Sequence, residues 1–171
     1  METCERTALG IVVCGFPGVG KSFYTEHSKV DACDSDSSSF SWASEGVRHP
    51  NFPNNYMAHI KSMRDKHDVV FASTHENVRK ALSEHEIPYY LVYPSPRLKN
   101  QYMHSYILRG SPEGFIKLMN EQWDSFISSC AQDDGSVRNF TLQSREHLCN
   151  IMHYIIWSAK NVHADEFCIA R

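Results

Sequence analysis

The stretch Gly15-Phe16-Pro17-Gly18-Val19-Gly20-Lys21-Ser22 constrains this chain more than any other. It fits the pattern G-x-x-x-x-G-K-S/T, a loop that wraps phosphates. Phosphate chains concentrate negative charge in a small volume, so the loop must turn backbone N–H groups inward. Gly15, Gly18 and Gly20 permit the backbone angles and the close approach this needs. Pro17 and Val19 complete the loop, Lys21 supplies a cation for the β- and γ-phosphates, and the Ser22 hydroxyl suits Mg²⁺. The helix that starts here adds its N-terminal dipole.

Just before the loop runs Ala8-Leu9-Gly10-Ile11-Val12-Val13-Cys14, apolar and rich in β-branched residues. That predicts a buried parallel strand leading into the loop. Further on, short apolar runs alternate with helical spacing. A brief second strand is predicted to end near Asp34, a third over 68–74, a fourth over 88–93 and a weak fifth over 139–142. Helices are predicted over 22–27, 54–66, 75–86, 97–109, 111–130 and 145–159. Asn54 is read as a cap, and so is Ser111, with Pro112 at the first helical position. The polar loop 37–42 and residues 43–53 read as irregular, residues 1–7 as a loose start, and the tail from Lys160 is left undetermined. The expected fold class is α/β: three layers, with a mostly parallel five-stranded sheet and helices on both faces. In such a sheet, ligands meet the loops that follow the strands.

The chain has 171 residues, which suits one domain spanning 1–171. Its formal net charge of −3 argues against broad, non-specific duplex binding, while leaving room for a local basic cleft. None of the six cysteines forms C-x-x-C, so free thiols in a reducing, cytoplasmic setting are expected. The ten histidines show no metal-binding spacing, and no apolar run is long enough to span a bilayer.

Asp34 and Asp36 follow the second strand. A carboxylate there can order Mg²⁺, and one two residues on can take a proton from an attacking hydroxyl. Together, Gly15–Ser22 and Asp34-Ser35-Asp36 resemble the small P-loop kinases: shikimate and gluconate kinases, nucleoside monophosphate kinases and the kinase domain of polynucleotide kinases. The resemblance implies ATP and Mg²⁺ as cofactors, Asp34 at the metal, Asp36 at the acceptor, and a lid around residues 95–112. Arg109 and Arg97 take the place of lid arginines, closing over the transferred phosphoryl group. The resemblance does not cover the acceptor-binding segment.

For the acceptor, residues 37–76 are the place to look. Phe40, Trp42, Phe52 and Tyr56 can stack on a base, Arg48 and Arg64 can pair with a phosphate, and Asn54 and Asn55 suit a base edge. Thr74 and His75 lie where the third strand meets the cleft. The expected activity is ATP-dependent transfer to a nucleotide or small-molecule acceptor, first a (deoxy)nucleoside monophosphate. The alternatives are transfer to a hydroxyl in DNA or RNA (a 5′ end or a hydroxymethylpyrimidine), and a non-kinase ATPase or nucleotide-binding regulator. No Asn/Thr-Lys-x-Asp guanine signature is present.

Overall fold

The apolar run before the glycine loop forms the central strand of the sheet. In the computed structural model, which describes residues 9–168, the elements follow in chain order. They are β1 (Ile11–Gly15), α1 (Lys21–His27), β2 (Ala32–Asp34), α2 (Ser38–Ser41), β3 (Trp42–Ser44), β4 (Val47–Arg48), α3 (Asn54–Arg64), β5 (Val69–Ala72), α4 (Glu76–Glu84), β6 (Tyr89–Pro94), a 3-10 turn (Pro96–Leu98), α5 (Lys99–Leu108), α6 (Glu113–Ala131), β7 (Arg138–Leu142) and α7 (Leu148–Cys168). The expected loose start at 1–7 lies outside the described residues.

Five strands lie in the order β2-β5-β1-β6-β7, and every ladder among them is parallel. Cys14 of β1 faces Ala72, the last residue of β5, on one side and Leu91 on the other, and β6 runs on to Pro94. β5 and β6 are buried along their whole length, as strands covered on both faces must be. α7 packs on β1 and beside α1, whereas α3 packs on β5 and α6 on β6. The step from β1 out to β2 runs opposite to the steps from β2 to β7, so right-handed crossovers put α1 on one face and α3, α4 and α6 on the other. The diverging connections of β1 and β6 open a crevice at the strand ends, where the glycine loop lies.

The core joins the loop to this scaffold. Phe16 is buried and meets the ring edges of Trp123 at 5.5 Å and Tyr102 at 6.4 Å between centroids. Each such pair contributes about 0.5–1.5 kcal/mol beyond its burial.

Several boundaries differ from the expected ones, each for a local reason. The third strand (β5) stops at Ala72: Ser73 Oγ accepts from the His75 N–H at 3.3 Å, and Arg79 Nε takes the Thr74 carbonyl at 3.0 Å. Ser111 does not cap α6; Pro112 holds that position, and the Ser111 hydroxyl accepts from Arg109 Nε at 2.8 Å. Asn54 is the first residue inside α3 rather than its cap. The last helix begins at Leu148 rather than Arg145, after turns closed by Glu146 on the Gln143 N–H and Asn150 on the His147 N–H. Residues 37–48, expected as irregular, hold the short helix α2 and the antiparallel hairpin β3–β4.

Candidate functional site

The loop after β1 owes its shape to two left-handed positions, Gly18 at φ 87° and Gly20 at φ 105°. A side chain is strained at either angle. At Gly18 a Cβ would also lie 3.0 Å from the Tyr106 ring, with Tyr102 at 3.3 Å. At Gly15 a Cβ would strike Lys21 Cδ at 2.8 Å, so this glycine lets the lysine fold back over the loop. Lys21 Nζ donates to the Gly15 carbonyl at 2.9 Å. Burial lowers the Lys21 pKa; the charges of Asp34 and Asp36 oppose that shift and Arg109 adds to it. The lysine therefore lies within the field of both acids and of the proposed lid arginine.

Ser22 and Asp34 meet. Ser22 Oγ donates to Asp34 Oδ2 at 2.8 Å. Octahedral Mg²⁺ with bonds of 2.0–2.1 Å puts neighbouring ligand oxygens about 2.9 Å apart. The two oxygens thus stand at the spacing of one octahedral edge. No cluster of three or more metal-binding side chains occurs among the described residues. A Mg²⁺ that travels with nucleotide phosphates needs only one or two protein ligands.

Asp36 caps the turn into α2, its Oδ1 accepting from the Ser38 N–H at 2.9 Å. The Asp34–Asp36 loop lies beside the end of β5, because the Ser35 N–H donates to the Phe71 carbonyl at 3.0 Å. Tyr56 of α3 donates its hydroxyl to the Ser35 carbonyl at 2.7 Å. Ser35 Oγ, between the two acids in sequence, is buried with no hydrogen-bond partner among the described residues.

The segment expected as a lid is seated on the loop through two tyrosines. The Tyr106 hydroxyl donates to the Pro17 carbonyl at 2.7 Å. Arg109 stacks on Tyr106 at 4.6 Å and reaches Phe115 at 5.8 Å. Arg97 stands exposed on the 3-10 turn, with no bonded partner among the described residues. Val19 acts from inside: its side chain is buried, and its carbonyl accepts from the Leu148 N–H at 2.9 Å.

On the acceptor side the expected residues separate. Thr74 and His75 lie on the loop after β5, where the Ser35–Phe71 bond brings Asp36 close. Burial lowers the His75 pKa first, then the charge of Arg48, while Asp36 opposes them. Trp42 remains 44% exposed, with the Arg48 guanidinium 4.1 Å from its ring centre. Phe40, Phe52 and Tyr56 instead pack on one another, and Asn55 is spent on the Phe40 carbonyl and the Tyr56 N–H. Arg64 is not brought to the site. It lies at the far end of the sheet, where its Nε donates to the Gly10 carbonyl ahead of β1 at 2.9 Å.

Two contributors escaped the sequence reading. Tyr102 and Tyr106 stand four apart, a visible helical spacing, but their seat on Gly18 and Pro17 is set only by tertiary packing. Arg79 is buried and bonds the Thr74 carbonyl, Ser129 and Asp133, so it braces the loop that carries His75. A cavity of about 600 Å³ between α4 and α6 is lined by this Arg79–Asp133 pair, Tyr89 and Ser129. It lies away from the glycine loop. Its charged pair is already bonded within the protein, so it is a brace beside the site rather than the site itself.

Burial raises the pKa of Cys14, Cys33 and Cys130, which disfavours their thiolates, and the four cysteines with described side chains are unpaired. No described helix is long and apolar enough to cross a membrane. No model of a known protein family matches the sequence, and no curated protein matches it either.

Proposed function

We propose that this protein is an ATP-dependent phosphotransferase of the P-loop kinase type, moving the γ-phosphate of ATP to a nucleotide acceptor, a (deoxy)nucleoside monophosphate. The observation that carries the reading is the Ser22–Asp34 contact of 2.8 Å beside Lys21, with Asp36 two residues on. A phosphate loop alone serves binding or hydrolysis. A pair of oxygens spaced for a metal, with a second acid two residues on, suits transfer to another molecule.

In this reading the backbone from Gly15 to Gly20 and the Lys21 ammonium hold the phosphate chain. Lys21 leaves the Gly15 carbonyl to do so. Ser22 and Asp34 would hold Mg²⁺, which would supply charge neutralisation for the transfer. An acceptor oxygen forms the new bond to the γ-phosphorus while the bond to the β,γ-bridging oxygen breaks, and ADP leaves. Arg109, held on Tyr106, faces the charge that develops during transfer.

A second reading is transfer to a hydroxyl in nucleic acid. The exposed Trp42–Arg48 pair favours it, because aromatic and cationic groups in the open suit a strand. A hydroxyl also carries a proton that Asp36 can accept, which a phosphate dianion does not.

The test is transfer of label from γ-labelled ATP to a panel of nucleoside monophosphates, 5′-hydroxyl oligonucleotides and DNA bearing hydroxymethylpyrimidines. Label in nucleoside diphosphates is the expected result and names the base. Label in polymer selects the second reading. Free phosphate with every acceptor unlabelled overturns transfer to nucleotides altogether.

A further inference from the structure

Positive charge collects at two separate poles around the acids. One is Lys21 with Arg109 at the glycine loop. The other is Arg48 on the hairpin, whose charge reaches His75 on the loop after β5. Lys21 feels the charges of Asp34 and Asp36, and His75 feels that of Asp36. Nucleotide phosphates account for the first pole. The second has no such use.

Arg48 is exposed and bonded to no carboxylate among the described residues. Its one described contact is the face of Trp42, its cross-strand partner in the hairpin. Stacking uses the flat face of the guanidinium and leaves its in-plane N–H donors open. That arrangement preorganises a fork for an oxyanion. The hairpin is tied to the site by a short path. Asp36 caps α2, α2 leads straight into Trp42, and the His49 N–H donates back to the Ser41 carbonyl at 3.0 Å. Trp42 remains 44% exposed, which leaves ring surface for a flat group.

We propose that Arg48, set on Trp42 in the hairpin that follows Asp36 and α2, binds a phosphate that the acceptor itself carries. This rests on the phosphotransferase reading and sharpens it: the acceptor is phosphorylated before the reaction, and Arg48 selects for that. The phosphate belongs either to a mononucleotide or to the phosphodiester next to a reacting hydroxyl. A sugar or nucleoside without phosphate is a poor substrate on either account.

The experiment is calorimetric titration, without ATP, of a nucleoside, its 5′-monophosphate and a short oligonucleotide into the wild type, Arg48→Ala and Arg48→Lys. Steady-state kinetics follow on whichever acceptor takes label. The expected result is an affinity for the phosphate-bearing ligand lowered about 30-fold in Arg48→Ala and partly restored in Arg48→Lys. The KM for ATP stays within about twofold. The bare nucleoside binds all three proteins equally. Loss confined to the monophosphate identifies a mononucleotide. Loss confined to the oligonucleotide, reproduced by one neutral methylphosphonate linkage, identifies a strand. In the wild type, the His75 imidazole followed by NMR shifts its titration upward when the ligand binds.

The proposal is overturned if Arg48→Ala binds the phosphate-bearing ligands within about twofold of wild type. It is overturned too if the nucleoside loses as much as its monophosphate, or if neither phosphate-bearing ligand binds the wild type. Because affinity is read without ATP, phosphate binding through Arg48 with no transfer to any acceptor would refute the kinase reading and leave the subsite standing.

Discussion

Lys21 and Arg48 are both cations of the candidate site, but they are held in opposite ways. Lys21 is half-buried, bonded to the Gly15 carbonyl and flanked by two acids. Its loop is backed by Phe16, Trp123 and Tyr102 and tied at Pro17 to Tyr106. Arg48 stands in the open on a hairpin of two short strands, resting on one ring. A two-stranded hairpin is marginally stable by itself. The core therefore fixes the part proposed to meet a phosphate chain, a group common to all nucleoside triphosphates. The part proposed to meet the variable partner lies outside the core, where change costs the fold little.

The largest effect is expected at the fixed end. Lys21→Ala should lower turnover about 10²–10³-fold, as loss of a charge-stabilising donor does, with the unfolding midpoint hardly moved. Steady-state kinetics beside a thermal melt check this. Turnover within a few-fold of wild type would break the assignment of the loop.

A smaller effect sharpens the contrast. Tyr106→Phe leaves the ring over Gly18 but removes the donor to the Pro17 carbonyl. It should cost about 1 kcal/mol in denaturant unfolding. It should raise the KM for ATP several-fold and leave the KM for the acceptor alone. An acceptor KM that moves as far as that for ATP would show that the two ends are not independently built.

The smallest effect concerns His75. Burial and the charge of Arg48 put its native pKa below the usual 6.5. As pH falls, the unfolded chain takes this proton first. The His75 contribution to stability is therefore complete above pH 6.5 and is lost as pH falls through the interval down to the native pKa. NMR titration should find the lowered pKa. His75→Asn should remove its share of the slope, leaving that of His59, which burial also lowers.

The sheet, the loop and the acids were legible in the sequence because each rests on local pattern. β-branched runs mark Ile11–Gly15 and Val69–Ala72, and glycines at fixed offsets mark the turn. That Asp34 would face Ser22 was legible because parallel strands two apart bring their ends together. What was not legible depends on who sits beside whom. Arg64 carries the right group at the wrong end of its helix for this site, and its bond to Gly10 leaves no trace in spacing. All four of Phe40, Trp42, Phe52 and Tyr56 were equally eligible for stacking, until packing turned Phe40 and Phe52 on Tyr56 and left Trp42 outside. The start of the last helix slipped by three residues because Glu146 and Asn150 close turns that look helical in sequence.

The bond from the Leu148 N–H to the Val19 carbonyl joins positions far apart in the order of synthesis. The phosphate loop leaves the ribosome early, and the helix that steadies it leaves late. A nascent chain arrested before residue 148 would display the whole glycine motif and still lack the N–H that pins its turn, and α7, which packs on β1 and α1, would not yet be made. Folding of the glycine-loop end is thus timed by translation of the other end of the chain. Growing chains are kept from settling that loop until nearly all of the described fold has been made.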